Sequence, residues 1–541
     1  MFRTFKRFSS SQVCRTMDSL HKTIENEVQE PLTGTVSKNG KVPDWVNGCL
    51  YRNGPGMYEV GEHKFLHWFD GLAMLQKFSI VNGSVTYQRK FLNTETYQQC
   101  KEKNRIVHYQ FATPSSTDPC KNIFQRFLTK FEFSDNTLVH VFPVKEDLYA
   151  TTETLYMNRI NPDTLEVAEK INLEENVGAT LATPHPHIDA DGTMHNLGHC
   201  FQRGMFVELL RIPPREADSK LPKGEVVCKL NNPWSMSISY YHSFGMTENY
   251  YVFVEQPLLS NIPKLLIGRK LGNAFEQSLQ YFPDMKTRFR IVDKKTGKEL
   301  SKKIHYETDA FLLFHHINAY EEDGHIVLDL CCHKDKTIMD NMYMKKLSSP
   351  EAEQGFRDAG PPQVRRYVLP LNLQQEEIKK GENLVKLENT TATCRKDSEK
   401  SVHCEAERLT DAGMEFPQIN YDKYNAKKYR YMYGVNFYKE GIPSQRLVKI
   451  DAVEKTYVEW KENYSFPSEP VFIPKPDAVD EDDGALVAAI NHAGEQEGSN
   501  TCYLLFLDAK TMEEMARVEF KDIDRFPRDL HGAYKSNNSM L

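Results

Sequence analysis

One local pattern recurs along this chain: an apolar strand end, a turn that contains Asp or Asn, a Thr, and then a second strand. It occurs at residues 160–165, 291–296, 450–456 and 507–511. Polar side chains of this kind favour tight turns because they hydrogen-bond to the neighbouring backbone, and the short apolar runs around them are typical of strands. The pattern therefore predicts antiparallel hairpins and an all-β chain. Its irregular spacing leaves both a β-propeller and an array of sandwiches open.

Chain length and net charge further restrict the class of protein and the partners that can be expected. The 541 residues exceed what one compact core usually organises without domains or repeats. The formal net charge of −7 provides no field that would attract nucleic acid, so no nucleic-acid partner is expected. No apolar run reaches the roughly 18 residues needed to cross a bilayer. If this protein meets a membrane, we expect it to lie on the surface.

The first 17 residues form a distinct segment. They contain basic residues but no acidic ones, three consecutive serines, and phenylalanines at positions 2, 5 and 8, which could share one helix face. A basic, amphipathic segment that contains serine and lacks acids is typical of a mitochondrial presequence. Residues 1–17 are therefore predicted to direct the protein to the mitochondrion. The alternative is a disordered tail that happens to lack acids, which would leave the protein in the cytoplasm.

Two internal segments mix large apolar side chains with cations. They cover residues 257–281 and residues 121–133. Such a mixture suits a segment that lies in a membrane interface. Helices packed over the sheets would have the same composition, so the sequence leaves both interpretations open.

Four of the 18 histidines stand in unusual contexts. His185 lies between two prolines, which fix the direction of the backbone. His242, His315 and His531 follow or precede apolar residues, where a buried imidazole must find a partner. A shared metal ion would satisfy all four. Because the four are far apart in the chain, they cannot form a local metal finger; only the whole fold could assemble the site. Residue type alone does not distinguish them from the other histidines.

Ten short motifs carry a family resemblance. In chain order they are RNGPG at 52–56, HWFDG at 67–71, DPCKN at 118–122, HPH at 185–187, YHSFG at 241–245, FHHIN at 314–318, EFP at 415–417, PSEP at 467–470, EDDG at 481–484 and LHG at 530–532. The ordered set resembles the carotenoid cleavage oxygenases, and it covers about residues 30–535. The chain is most similar to the animal branch, which includes central and eccentric β-carotene oxygenases and the retinoid isomerase of the eye.

The resemblance implies an architecture and a metal. The expected fold is a seven-bladed β-propeller, with a helix-and-loop dome over the iron-bearing face, in one domain over residues 30–535. It implies one Fe(2+) per chain, with O2 as co-substrate. By motif position, the first histidine of each closely spaced pair is the ligand, and His187 and His316 are structural. The implied ligands are His185, His242, His315 and His531.

The same resemblance assigns the surroundings of the iron. Glu153, Glu415 and Glu469 match glutamates that accept a hydrogen bond from the second ring nitrogen of a ligand and so orient it. Thr152 matches a position that crowds the vacant iron coordination site. The walls of the substrate tunnel are expected from three aromatic residues: Phe69, Phe111 and Phe314. Plain core packing remains the alternative for Thr152 and for these three.

Within the family, three features favour eccentric cleavage. The retinoid isomerase carries a Trp where this chain has His333, and the chain combines the candidate presequence with the Cys331–Cys332 pair. The implied activity is 9′,10′ cleavage of carotenes and xanthophylls to apo-10′-carotenals and ionones. Alternatives are central 15,15′ cleavage of β-carotene to retinal, hydrolysis and isomerisation of retinyl esters, and carotenoid binding without turnover. Carotenoids are nearly insoluble in water, so a membrane surface is the expected source. Nothing in the sequence indicates an oligomeric state.

Overall fold

The computed structural model describes residues 22–116, 120, 122, 124–125, 133–201, 204–301, 303–349, 351–373, 379–437, 445–493 and 499–537, with 269 and 353 as backbone only. The candidate presequence lies outside these residues, as does most of segment 121–133. The described chain is mostly β-structure, as the hairpin pattern predicts.

The described residues form seven sheets of four or more strands, which begin one after another along most of the chain. Within each sheet, strands that are adjacent in the order given are hydrogen-bonded to each other. The first contains Val28–Thr33, Ser84–Phe91, Leu72–Val81, Gly48–Met57 and His531–Ser536. The second contains Val167–Asn172, Tyr156–Ile160, Asp147–Thr151 and His140–Val144. The third contains Leu181–Ala182, Met194–Cys200, Phe206–Ile212 and Glu225–Asn231, with His187–Ile188 beside Met194–Cys200.

The other four sheets are built mainly from the chain after residue 244, and the seventh also includes Thr35–Val36. The fourth contains Gly245–Met246, Tyr250–Glu255, Thr287–Asp293, His305–Thr308, Ser401–Glu405 and Thr393–Ser398, with Lys298–Glu299 beside Thr287–Asp293. The fifth contains Leu312–Glu322, His325–His333, Gln363–Pro370 and Glu407–Gly413. The sixth contains Glu415–Gln418, Tyr431–Asn436, Arg446–Asp451 and Thr456–Trp460. The seventh contains Thr35–Val36, Glu514–Glu519, Thr501–Asp508, Gly484–His492 and Ser465–Pro467, with Val471–Pro474 beside Gly484–His492.

Both ends of the described chain cross between the first and the seventh sheet. The C-terminal strand His531–Ser536 completes the first sheet, where His531 lies opposite Asn53. Near the other end, the strand Thr35–Val36 completes the seventh sheet beside Glu514–Glu519. Each of these two sheets is thus completed by a strand from the opposite end of the described chain, and His531 lies in one of these strands.

All four predicted hairpins are confirmed, because each turn joins two antiparallel strands. In the first turn, the Asn161 carboxamide oxygen accepts hydrogen bonds from the N–H groups of Asp163 and Thr164. Asp508 accepts two equivalent bonds in the last turn. Leu165 and Met512 then adopt a left-handed conformation, with φ of 59° and 62°. That conformation costs about 1–2 kcal/mol for a non-glycine residue, and burial of both side chains offsets it.

Helices and small sheets fill the connections. The α-helices are Glu95–Lys103, Leu173–Asn176, Ile262–Lys270, Thr337–Asn341, Met344–Leu347, Ala352–Ala359 and Tyr421–Tyr424, with a 3₁₀ turn at Glu276–Ser278. A three-stranded sheet contains Ser237–Ser239, Leu258–Asn261 and Leu279–Tyr281, and a two-stranded sheet contains Glu59–Val60 and His63–Lys64. Within the described residues, no helix is both long and apolar enough to cross a membrane.

Segment 257–281 contains a strand, a nine-residue helix, a 3₁₀ turn and a second strand. Its helix, Ile262–Lys270, buries Ile262 and Leu265 against the body of the protein. Leu266 and Ile267 of the same helix are 48% and 56% exposed. One helix therefore shows both features that the sequence left open, since it packs on the protein and also presents apolar side chains to solvent.

Candidate metal centre

The four histidines predicted as ligands meet at one point. His315 lies in the strand Leu312–Glu322 and His531 begins the strand His531–Ser536, while His185 and His242 lie in loops beside short strands. One ring nitrogen from each lies within 4.8 Å of all the others. The Nε2 atoms of His185 and His242 are 3.1 Å apart, and those of His315 and His531 are also 3.1 Å apart.

The protonation of these rings suits a metal. Burial, together with the neighbouring imidazoles, lowers the pKa of His185 and His531 well below the ordinary value. Burial also lowers the pKa of His242. The rings of His185, His242 and His531 are therefore neutral at physiological pH, which is the form that binds a metal ion. Converging imidazole nitrogens suit iron, zinc, copper or nickel, so the residues present fit a transition-metal ion.

Three carboxylates accept hydrogen bonds from the outer ring nitrogens. Glu153 lies 2.5 Å from His242 Nδ1 and Glu415 lies 2.5 Å from His315 Nδ1. Glu469 lies 2.9 Å from His531 Nδ1. Because a carboxylate can only accept, each Nδ1 carries the proton and each Nε2 keeps its lone pair for the centre. Among the described residues, no carboxylate occupies the equivalent position behind His185.

Further residues, which the sequence did not single out as part of the site, hold these carboxylates. The Tyr240 hydroxyl donates to Glu153, and His333 Nε2 donates to Glu415 over 2.7 Å. Arg52 donates to Glu469 over 3.0 Å and also to Asp529. Arg52 belongs to the first family motif and Asp529 lies two residues before His531, but only the fold places the two side chains together.

An apolar cavity opens beside the histidines, with about 1140 Å³ of atom-free space including its mouth. The three predicted wall residues and Thr152 all line it. Phenylalanine rings lead away from the centre: Phe314 lies 5.6 Å from His242, Phe69 lies 5.8 Å from Phe314, and Phe111 lies 5.5 Å from Phe69, all between ring centroids. Phe275, which the sequence did not single out, lies 6.3 Å from Phe111 and extends this aromatic row.

Two buried residues from the HWFDG motif support the aromatic row. His67 Nδ1 accepts the Phe69 N–H over 3.0 Å, and its Nε2 donates to the Met339 carbonyl over 2.9 Å. Burial lowers the pKa of His67 to about 4, which keeps this ring neutral. The Asp70 carboxylate accepts from the Ala112 N–H and from the Thr113 hydroxyl, and so fixes the loop that carries Phe111.

The buried carboxyl group of Asp70 should make the stability of the protein depend on pH. Burial raises the pKa of Asp70 from 3.8 to about 7. Between pH 3.8 and about 7, Asp70 is protonated in the folded protein but ionised in the unfolded chain. The contribution of Asp70 to the free energy of unfolding therefore falls as pH rises through this range and is constant above about pH 7. We expect Asp70→Asn to unfold at a temperature about 2–4 °C above wild type at pH 8 and at nearly the same temperature at pH 5. Calorimetry at the two pH values measures the gap, and an equal gap at both would contradict the assignment.

Comparison with known proteins decides the family. The model of the retinal pigment epithelial membrane protein (RPE65) family matches residues 21–536. The chain belongs to this family of carotenoid cleavage oxygenases. The mitochondrial carotenoid-cleaving dioxygenase of Macaca fascicularis, a family member, is 39% identical over 96% of this chain and 95% of its own length. The β,β-carotene 15,15′-dioxygenase of Rattus norvegicus is also 39% identical, over 96% of this chain and 91% of its own length.

Solved structures of this family share the fold. A variant of the Synechocystis apocarotenoid oxygenase matches with a TM-score of 0.76 at 21% identity, covering 98% of this chain and 100% of its own. The cobalt-substituted form of that oxygenase matches with a TM-score of 0.74 at 21% identity, with the same coverage. At this identity the likeness establishes the fold alone. The equal identity to mitochondrial and 15,15′-cleaving relatives does not distinguish their activities.

Proposed function

We propose that this protein is a carotenoid-cleaving dioxygenase, in which His185, His242, His315 and His531 hold one Fe(2+) per chain. The observation that carries the proposal is the convergence of four imidazoles beside an apolar, aromatic cavity. A polyene offers no heteroatom at its reacting bond, so apolar walls must hold it in place. Family membership supplies the reaction class: O2 adds across one C=C bond, the bond breaks, and two carbonyl products leave.

The proposed architecture is a seven-bladed propeller with a helix-and-loop dome over the metal. The seven sheets follow one another along the chain, and both described ends of the chain cross between the first and the seventh. Such crossing is how a ring of sheets closes without an open edge. Residues 30–535 would then form one domain.

The chain's own residues have distinct parts in this reaction. Bound iron would supply the site at which dioxygen is activated. Glu153, Glu415 and Glu469 hold three of the imidazoles in the tautomer and direction that metal binding requires, and their negative charge balances the cation. The aromatic row from Phe314 to Phe111 orients the polyene and excludes water from it. Thr152, which lines the cavity beside Glu153, limits the space left at the metal.

Eccentric 9′,10′ cleavage, giving apo-10′-carotenals and ionones, is the proposed regiochemistry. It is supported by the presequence-like residues 1–17, the Cys331–Cys332 pair and the absence of Trp at His333. His333 lines the cavity and bonds to Glu415, so a Trp there would alter both. Relatives named as mitochondrial support a mitochondrial location. Central cleavage is the second candidate, because a 15,15′-cleaving relative is equally similar.

Product analysis tests the function. Iron-loaded protein incubated with β-carotene and with zeaxanthin should give apo-10′-carotenals and the matching ionones, identified by chromatography and mass spectrometry. If retinal is the only aldehyde formed, the protein cleaves β-carotene centrally and the eccentric assignment is wrong. A released retinol isomer from retinyl ester would indicate isomerohydrolase activity. If no carotenoid or ester is converted by iron-loaded protein, the chain is not the proposed enzyme.

A membrane surface is the proposed source of substrate. The aromatic row ends at Phe275, which packs with Leu265 and Ile262 on the buried side of the helix Ile262–Lys270. Leu266 and Ile267 on the same helix are exposed. Aromatic rings therefore extend from the metal centre to the base of a helix that exposes two large apolar side chains together with Lys264. A carotenoid leaving a bilayer at this helix would remain in contact with apolar side chains.

Vesicle binding tests this surface. Ile267→Asp should weaken binding of the protein to phosphatidylcholine vesicles by about tenfold, because inserting a carboxylate into the interface costs roughly 1–2 kcal/mol or more. Val479→Asp is the matched control, since Val479 is 86% exposed and outside this helix, and it should leave binding unchanged. Sedimentation with vesicles measures both. An equal effect of the two substitutions would reject the helix as the membrane-contacting element.

A further inference from the structure

A fifth histidine lies against the four-histidine centre. The His140 ring centroid is 4.9 Å from that of His185, with the ring planes inclined at 37°. It is also 5.6 Å from the His531 ring, at 70°. His140 begins the strand His140–Val144 in the second sheet. It belongs to none of the family motifs and is not among the four converging ligands.

His140 is also bonded to the backbone that carries His185. Its Nδ1 donates to the carbonyl oxygen of Pro184 over 3.2 Å. That carbonyl accepts a second hydrogen bond, over 2.7 Å, from the Thr151 hydroxyl. Pro184, immediately before His185, is thus held by His140 and Thr151, which lie opposite each other in adjacent strands of one sheet. The His140 ring also packs against the His185 ring.

His185 differs from the other three ligands in its support. His242, His315 and His531 each donate Nδ1–H to a glutamate. Within the described residues, His185 makes no such bond to a carboxylate. His242, His315 and His531 line the apolar cavity, but neither His185 nor His140 is part of its lining. Of the four predicted ligands, His185 is thus the one without an anionic partner among the described residues, and His140 packs against it outside the lining of the cavity.

We propose that His140 is the positioning residue for His185, and that ring packing replaces the carboxylate found behind the other ligands. The hydrogen bond to Pro184 fixes the His140 ring, and the ring in turn limits rotation of the His185 imidazole. A histidine ring can do this without adding a fourth negative charge to the three glutamates around the metal. The proposal rests on the proposed metal centre but not on the reaction or its regiochemistry.

Metal affinity tests the role without using turnover. Co(2+) is titrated into metal-free protein and followed by its visible absorption, with a competing chelator to set the scale. Loss of an outer partner of a metal ligand typically costs 10–100-fold in affinity. We expect His140→Ala to weaken Co(2+) binding by about 10–100-fold and to change the absorption band, because His185 can turn. His140→Asn, which can still donate to Pro184 but has no ring, should show the same direction of change.

Thr151→Val is the matched control. It removes the second hydrogen bond to the Pro184 carbonyl but leaves the His140 ring in place, so affinity should stay within about threefold of wild type. Circular dichroism and the unfolding temperature of each metal-free variant verify the fold. If both His140 variants fold and bind Co(2+) like wild type with an unchanged spectrum, the proposal is wrong. It is also wrong if Thr151→Val loses as much affinity as His140→Ala, since the loop and not the ring would then matter. Failure of wild-type protein to bind Co(2+) would instead reject the metal centre itself.

Discussion

We expect His242→Ala to abolish metal binding and carotenoid cleavage together. The substitution removes one of four converging nitrogens. It also leaves the Glu153 carboxylate without the imidazole from which it accepts a hydrogen bond. Loss of a residue that only hydrogen-bonds to a metal ligand typically lowers metal affinity by about 10–100-fold. Loss of the ligand itself should therefore lower metal affinity by more than about 100-fold. Product formation should fall to the level of metal-free protein.

Metal content and products are measured on the same samples. Elemental analysis gives iron per chain, and chromatography gives aldehydes from β-carotene. His403→Ala provides the control, because His403 lies in the strand Ser401–Glu405 and is not one of the converging histidines. That variant should keep both iron and products. Turnover by His242→Ala at the wild-type rate would show that the ligand assignment is wrong.

The second large effect concerns stability. Arg52 is fully buried and bonds to two buried carboxylates, Glu469 and Asp529. Replacing it with Met would leave both carboxylates without their cation, and removal of one partner from a buried ion pair typically costs about 3–5 kcal/mol. Glu469 also accepts from the Gly532 N–H and from His531. A displaced Glu469 would therefore disturb His531, a proposed metal ligand, so metal affinity should fall together with stability.

An exposed ion pair supplies the comparison. Arg211 pairs with Glu225, and the two side chains are 52% and 57% exposed. Pairs of this kind contribute about 0–1 kcal/mol, so Arg211→Met should barely move the urea midpoint of metal-free protein. Arg52→Met should lower that midpoint clearly. Equal shifts in the two variants would mean that the buried network around Arg52 contributes no more than a surface pair.

Much of the candidate site was predictable from sequence because its residues lie in short motifs. The first histidine of HPH and of FHHIN is the one that converges with His242 and His531. Glu153, Glu415 and Glu469 each lie behind a predicted ligand. The hairpins were predictable for a local reason, since Asn161 and Asp508 bond to backbone N–H groups two and three residues away.

Other features depend on contacts between distant parts of the chain. Arg52 meets Glu469 and Asp529, which are more than 400 residues later, and no local pattern encodes that pairing. Segment 257–281 had a composition that suited both packing and membrane contact. Only the fold assigns Ile262 and Leu265 to the interior and Leu266 and Ile267 to the surface.

The sequence by itself determined the all-β class, the four candidate metal-binding histidines and the carboxylates expected beside them, because each depends on a short contiguous motif or turn. The tertiary structure decided which ring nitrogens converge, that no carboxylate of the described residues lies behind His185, and that the His140 ring packs against it. These features depend on the angles and distances between neighbouring sheets. Such geometry arises from the packing of side chains throughout the fold, so no short stretch of residues specifies it.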